Sequence, residues 1–215
     1  MKKAIVISVI SIACFVMTAC GQNSSGSVND SSDAANVSSD AVNVSSDVVA
    51  DISDTADTAA IDNSLISNYN LFEVTSDNLH NGKWDDVISY TDKGSNVSPS
   101  LSWEPVEGAS SYMVYMVDTS MDKWIHWKSS DITETYLPEG WASTTEYMGP
   151  YPPAGGTHTY EIYVIALKNP IERMKGALNS QNPKFDTFIE AADTDVNGNT
   201  GNIVGAAHLV GTFTN

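Results

Sequence analysis

The chain has 215 residues, with 27 acidic against 10 basic side chains and a formal net charge of −17. It contains no basic run to track a phosphate backbone, which argues against nucleic acid as a partner. The same acidity opposes adsorption to an anionic lipid surface.

The N-terminus reads as a targeting segment. Lys2 and Lys3 precede an apolar run of thirteen residues, Ala4–Val16, which Met17-Thr18-Ala19-Cys20 closes. The run is too short to cross a bilayer as a helix, and residues 1–19 read as a signal peptide. A cysteine after small residues resembles a bacterial lipobox, with Met17 where that motif prefers Leu. The resemblance implies cleavage before Cys20, lipidation of its thiol and attachment to a membrane outside the cytoplasm. The alternative is an ordinary signal peptide with an incidental cysteine. Cys14 lies inside the apolar run, so an exported chain keeps Cys20 alone and cannot form an internal disulfide.

Residues 20–62 read as a disordered linker rich in Ser and Asp. NVSSDAV is followed directly by NVSSDVV, and eight Asp with no Lys or Arg give residues 21–62 a charge of −8. The segment lacks the large apolar side chains that offset chain entropy. Helix is a poor alternative, because Ser, Asp, Asn and Val form helices weakly.

Residues 63–215 suit one domain with a sizeable core. All five Trp and all nine Tyr fall here, and 8 basic against 19 acidic residues leave a charge of −11. Strand patterning dominates. Leu101 and Trp103 alternate in PSLSW, Ser111–Asp118 is rich in β-formers, and WIHW follows at Trp124–Trp127. Thr159–Leu167 is apolar at nearly every position, as in a strand covered on both faces. His208–Thr214 reads as a closing strand. Helix signals are few: Asn182 as a cap, Pro183 at the first helical position, then Phe185, Phe188, Ile189 and Ala192 at helical spacing. A second short helix is expected near Ile171–Leu178. The fold is therefore expected to be mainly β with one or two short helices late in the chain.

The segment Gly149–Tyr160, GPYPPAGGTHTY, is the strongest functional signal. Its prolines stiffen the backbone and its glycines permit close approach. His158 and Tyr160 then lie two apart on a strand, so they share a face. A hairpin between Ser111–Asp118 and WIHW would bring Asp118 and His126 to one rim of a sheet. Each has a plain structural reading alone, a turn hydrogen bond for Asp118 and a buried, satisfied imidazole for His126.

Taken together, NVSPSLSW (Asn96–Trp103), MVYMVD (Met113–Asp118), WIHW and YMGPYPPAGGTHTYEIYVIAL (Tyr147–Leu167) resemble the phosphatidylethanolamine-binding protein family. The bacterial Raf-kinase-inhibitor-like (YbhB/YbcL) branch is the nearest in pattern, and the likeness runs in order from about Leu71 to the C-terminus. It implies a large antiparallel sheet packed with a smaller sheet and a short helix or two. It also implies a pocket for a small anion such as phosphate, phosphoethanolamine or a phospholipid headgroup. The residues that match its motifs are Asp118, His126, Gly149, Pro150, His158 and Tyr160. Ser120 stands where a second Asp is usual, and Thr159 where Arg is frequent. Glycine-rich backbone amides, imidazole N–H and phenol O–H are donors suited to such an anion, and protonated histidine strengthens the bond. The resemblance implies no catalysis and no cofactor.

Asp193-Thr194-Asp195-Val196-Asn197-Gly198 matches the first half of a calcium loop. Val204 occupies the twelfth position where the bidentate Glu belongs, so calcium at Asp193, Asp195 and Asn197 is at most a weak expectation beside an Asn-Gly turn. Three rival functions are open. A protein-partner inhibitor of a protease or signalling enzyme would use the same fold. A hydrolase lacks a GxSxG elbow, an HExxH helix and a cysteine nucleophile. A fibronectin-III-like adhesion module is suggested by LSWEPVEGASSYMVYMV, but needs only about 100 residues.

Overall fold

The computed structural model describes residues 64–215. The expected signal peptide, Cys20 and the expected linker lie outside the described residues. Two sheets form the frame. The larger joins β2 (Leu79–His80), β3 (Lys83–Trp84), β5 (Ser111–Asp118), β6 (Trp124–Ile132), β8 (Thr157–Leu167) and β9 (Ile203–Thr214) in the order β2-β3-β9-β8-β5-β6. The smaller joins β1 (Val74–Thr75), β4 (Leu101–Trp103) and β7 (Tyr136–Leu137) in the order β1-β4-β7. A large sheet packed with a smaller one is thus present. One correction applies: Lys83 pairs with Thr212 in parallel, so the larger sheet is mixed rather than purely antiparallel.

The apolar runs of β5 and β8 have a direct cause. Every residue of β5 is buried, and β8 is buried at nearly every position from Tyr160 onward. Val114, Met116, Tyr160, Ile162 and Val164 face a core shared with Leu101, Trp103 and Leu137 of the smaller sheet. Met113, Tyr115, Val117, Tyr163 and Ile165 face a second core. There they meet Phe185, Ile189 and Ala192 around α1 (Asp186–Ala192), the one α-helix among the described residues. A strand sandwiched between layers has no solvent face, so period-two polarity disappears.

The helical expectations need two corrections. Asn182 does not cap α1. Its Oδ1 accepts the Ala177 N–H at 3.0 Å, and its Nδ2 donates to the Ala177 and Ser180 carbonyls. The cap position is Phe185, already helical and without a side-chain cap. No helix forms over 171–178; Gly176 sits at φ +83° and its carbonyl accepts from Lys128 Nζ at 2.7 Å, so this stretch is an irregular strap against β6. β6 and β9 also extend well beyond WIHW and His208–Thr214.

In the Asp193–Asn199 turn the carboxylates are already engaged by protein donors. Asp195 Oδ1 accepts the Asn197 and Asn199 N–H groups, and its Oδ2 accepts Asn169 Nδ2 and Asn199 Nδ2. Asp193 accepts the Gly201 and Ile203 N–H groups. These bonds hold the Asp195 carboxyl below its ordinary range. Calcium would have to displace them, so millimolar calcium is expected to leave the melting temperature unchanged. A calcium-dependent rise in melting temperature would overturn this reading of the turn.

Candidate functional site

Strand register assembles the site. Asp118, the last residue of β5, pairs with Tyr160 on β8 and with Trp124 on β6. Directly paired residues share a face. His158 and His126 follow by alternation, two residues from Tyr160 and Trp124 respectively. A β-bulge decides the rest of β6. Met116 pairs with Trp127 and Val117 with Ile125, which leaves His126 as the extra residue. Without it, Trp127 would lie on the helix-covered face. With it, His126 and Trp127 both turn toward the face that packs on the smaller sheet, where Trp127 is fully buried.

Asp118, His126, His158 and Tyr160 line one pocket of about 330 Å³, together with Met121, Trp124, Tyr151 and Pro153. Asp118 is 4% exposed and both its oxygens are occupied. Oδ2 accepts from His158 Nδ1 at 2.6 Å, and Oδ1 accepts the Ser120 N–H at 2.8 Å. His126 Nδ1 lies 2.7 Å from the Met148 carbonyl and 3.2 Å from that of Gly149. Carbonyls only accept, so this nitrogen carries the proton. In both imidazoles Nε2 is therefore the nitrogen left for a ligand. Burial pulls the His126 pKa below its usual value, although the two carbonyls and the Asp118 charge push the other way.

Tyr160 is completely buried, and its hydroxyl makes no hydrogen bond of good geometry, although the Asp118 carboxylate and the Tyr151 backbone lie close enough to act on it. Burial pushes its pKa far above the usual tyrosine value, and the Asp118 charge adds to this. The phenol therefore stays a donor at every physiological pH. Its ring stacks on His158 at 6.4 Å between centroids and meets His126 edge-on at 5.2 Å.

Gly149 and Pro150 stand behind the pocket. The Gly149 N–H donates to Asn96 Oδ1 at 2.7 Å, and the Pro150 carbonyl accepts the Tyr90 N–H at 2.8 Å. They pin the proline-rich segment and aim the carbonyls that hold His126. Farther along, Gly155 takes φ +75° and its N–H donates to the Asn215 carbonyl, which ties the segment to the C-terminus. Met121, Trp124 and Tyr151 were not singled out by sequence reasoning, and Pro153 was named only among the prolines that stiffen the segment. Trp124 was findable by alternation from His126. Tyr151 was not, because its place depends on the path of the segment that carries it.

The model of the phosphatidylethanolamine-binding protein family matches residues 75–214, which contain every lining residue of this pocket. The chain belongs to the phosphatidylethanolamine-binding protein family. Among curated relatives, the UPF0098 protein of Methanothermobacter thermautotrophicus is 28% identical over 145 residues, covering 58% of this chain and 87% of its own. A Mycobacterium tuberculosis protein that carries the lipoprotein name LppC is 28% identical over 142 residues, covering 59% of this chain. This chain spans 64% of that relative's length. Among solved structures, E. coli YbcL, described as a new member of the mammalian PEBP family, aligns with a TM-score of 0.51 and 24% identity. That alignment covers 67% of this chain and 98% of YbcL, and it shows the shared fold. Among the described residues no helix is long and apolar enough to cross a membrane.

Proposed function

We propose that this chain is a non-catalytic binding protein whose pocket holds a small anionic group, phosphate or phosphoethanolamine-like, and that it is lipid-anchored through Cys20 outside the cytoplasm. The Tyr160 hydroxyl, without a hydrogen bond of good geometry and buried among two histidines whose Nδ1 atoms are committed elsewhere, carries the reading. The Asp118 carboxylate accepts from His158 Nδ1 and the Ser120 amide, and its charge is offset for an incoming anion when the paired imidazole is protonated. The net −11 of the domain gives no long-range attraction, so capture is local. The lipoprotein name of the mycobacterial relative supports the anchor. A hydrolase is disfavoured because the nearby serines are engaged. Ser120 Oγ accepts the Thr159 N–H, and Ser129 Oγ accepts from Trp127 Nε1.

The committed Nδ1 atoms make binding proton-dependent. A neutral ring with its proton on Nδ1 offers only an Nε2 lone pair, which an anion avoids; a protonated ring offers an N–H. His126 begins with a lowered pKa, so anion binding has to draw a proton to it. Affinity is then present at acid pH and lost as pH rises through the histidine range. Phosphate is expected to bind several-fold more tightly at about pH 5.5 than at about pH 8. Titration calorimetry at the two pH values checks this, and equal affinities would sink the proton-linked site. The empty fold responds in the opposite sense. A buried His126 with a lowered pKa contributes stability above its unfolded-state pKa, and that contribution is lost as pH falls.

A further inference from the structure

The irregular strap over 171–178 and the outer edge of β6 enclose a groove of about 660 Å³. It shares no lining residue with the histidine pocket. The strap alternates in Glu172-Arg173-Met174-Lys175. Met174 is buried in the second core, and its charged neighbours are exposed. Two bonds fix the stretch: the Tyr115 hydroxyl donates to the Lys175 carbonyl at 2.8 Å, and Lys128 Nζ donates to the Gly176 carbonyl at 2.7 Å. Lys128, Arg173 and Lys175, three of the eight basic residues of the domain, therefore line one groove on a preorganised backbone.

These cations are not neutralised by direct contact. Among the described residues every ion pair within 4.0 Å uses a histidine, so no carboxylate meets Lys128, Arg173 or Lys175 at that distance. Asp131, Glu146 and Glu172 line the same groove. Asp131 Oδ2 accepts from Ser130 Oγ at 3.1 Å, and Glu146 Oε2 accepts from Ser143 Oγ at 2.8 Å. Three carboxylates against three cations leave little long-range attraction, so capture depends on contact. Lys128 is distinguished by a second cation beside it. Partial burial pulls its pKa down, and the Arg173 charge adds to this. An anion between the two would relieve both penalties. The ammonium keeps two donors beyond its bond to Gly176, and the guanidinium presents a planar fork that matches oxyanion geometry. We propose that this groove is a second binding site, which takes an oxyanion between the Lys128 ammonium and the Arg173 guanidinium, with Lys175 at its rim. The site is independent of the histidine pocket and stands whether or not that pocket binds an anion.

The test is a titration of the exported chain with inorganic sulfate at neutral pH and constant ionic strength, followed by backbone amide chemical shifts. Saturable shifts are expected at residues 128–130 and 173–176. In Arg173→Gln the affinity read there is expected to fall about tenfold, the worth of one hydrogen bond between charged groups. Arg173→Lys is expected to lose less, because it keeps the charge and gives up only the fork. Arg173 is exposed, so neither substitution threatens the fold. Lys184→Gln removes the same charge from an exposed position outside the groove and is expected to leave the affinity unchanged. Shifts that rise without saturating, that appear only at residues 158–160, or that persist undiminished in Arg173→Gln would each overturn the site. An equal loss in Lys184→Gln would reduce the effect to net charge and overturn it as well.

Discussion

Gly149→Ala is expected to be the most damaging single substitution near the pocket. A Cβ added at Gly149 would lie 2.1 Å from the Ile88 carbonyl oxygen and 2.9 Å from the Ser89 carbon and the Tyr90 nitrogen. All three are backbone atoms, so no side chain can swing away. The neighbourhood is also cross-tied. Tyr147 donates its hydroxyl to the Ile88 carbonyl at 2.8 Å, Tyr90 N–H donates to Pro150, and Gly149 N–H donates to Asn96. Relief requires two chain segments to part, which costs about 3 kcal/mol or more. In a domain of this size that lowers the melting temperature by roughly 10 °C. Anion affinity should fall with it, because the Met148 and Gly149 carbonyls that orient His126 would move. Gly155→Ala is the control. Nothing lies within 4 Å of its added Cβ, and only the positive φ is strained, so its cost is expected to be about 1 kcal/mol. Thermal melting of the two variants checks the ordering; a Gly149→Ala protein that melts like the parent would refute the close-approach argument.

Tyr160→Phe is expected to move stability and binding in opposite directions. In the empty protein the Tyr160 hydroxyl is buried with no hydrogen bond of good geometry to Asp118 or the Tyr151 backbone beside it, a condition that costs about 1 kcal/mol. Removing it should raise stability by about 1 kcal/mol and the melting temperature by roughly 3 °C. The same oxygen is the pocket donor that needs no protonation step. Its loss should weaken phosphate binding by about tenfold, the worth of one hydrogen bond to a charged group. The weakening should be equal at acid and alkaline pH, since burial keeps the phenol protonated throughout. A variant that is less stable than the parent, or that binds phosphate unchanged, would remove the central support for the anion site. This pairing separates Tyr160 from the histidines, whose contribution is tied to pH.

Much of this arrangement was legible in the residues themselves. Alternation placed His158 beside Tyr160, and the unbroken apolar run of β8 announced a strand covered on both faces. The β-rich texture of Ser111–Asp118 and the turn that follows made a hairpin, and with it the meeting of Asp118 and WIHW, a sound expectation. These are local rules of period and turn chemistry, and they survive because every layer of the fold agrees with them.

Other features had no local signature. Asn182 looked like a helix cap, but its amide is taken by the Ala177 and Ser180 backbone. The stretch 171–178 looked partly helical, yet Lys128 of β6 claims the Gly176 carbonyl. The bulge at His126 arises because Ile125 and Trp127 are drawn into cores on opposite faces of one sheet. Gly149 sits against Ile88 and Asn179 against Trp124 across separations of more than fifty residues, and Asn179 meets Tyr151 across 28. By itself the sequence determined which residues alternate onto which face, and so which polar groups could meet. Only the tertiary structure decided which backbone segments approach closely enough to hold them, because that depends on packing between segments that no local pattern encodes.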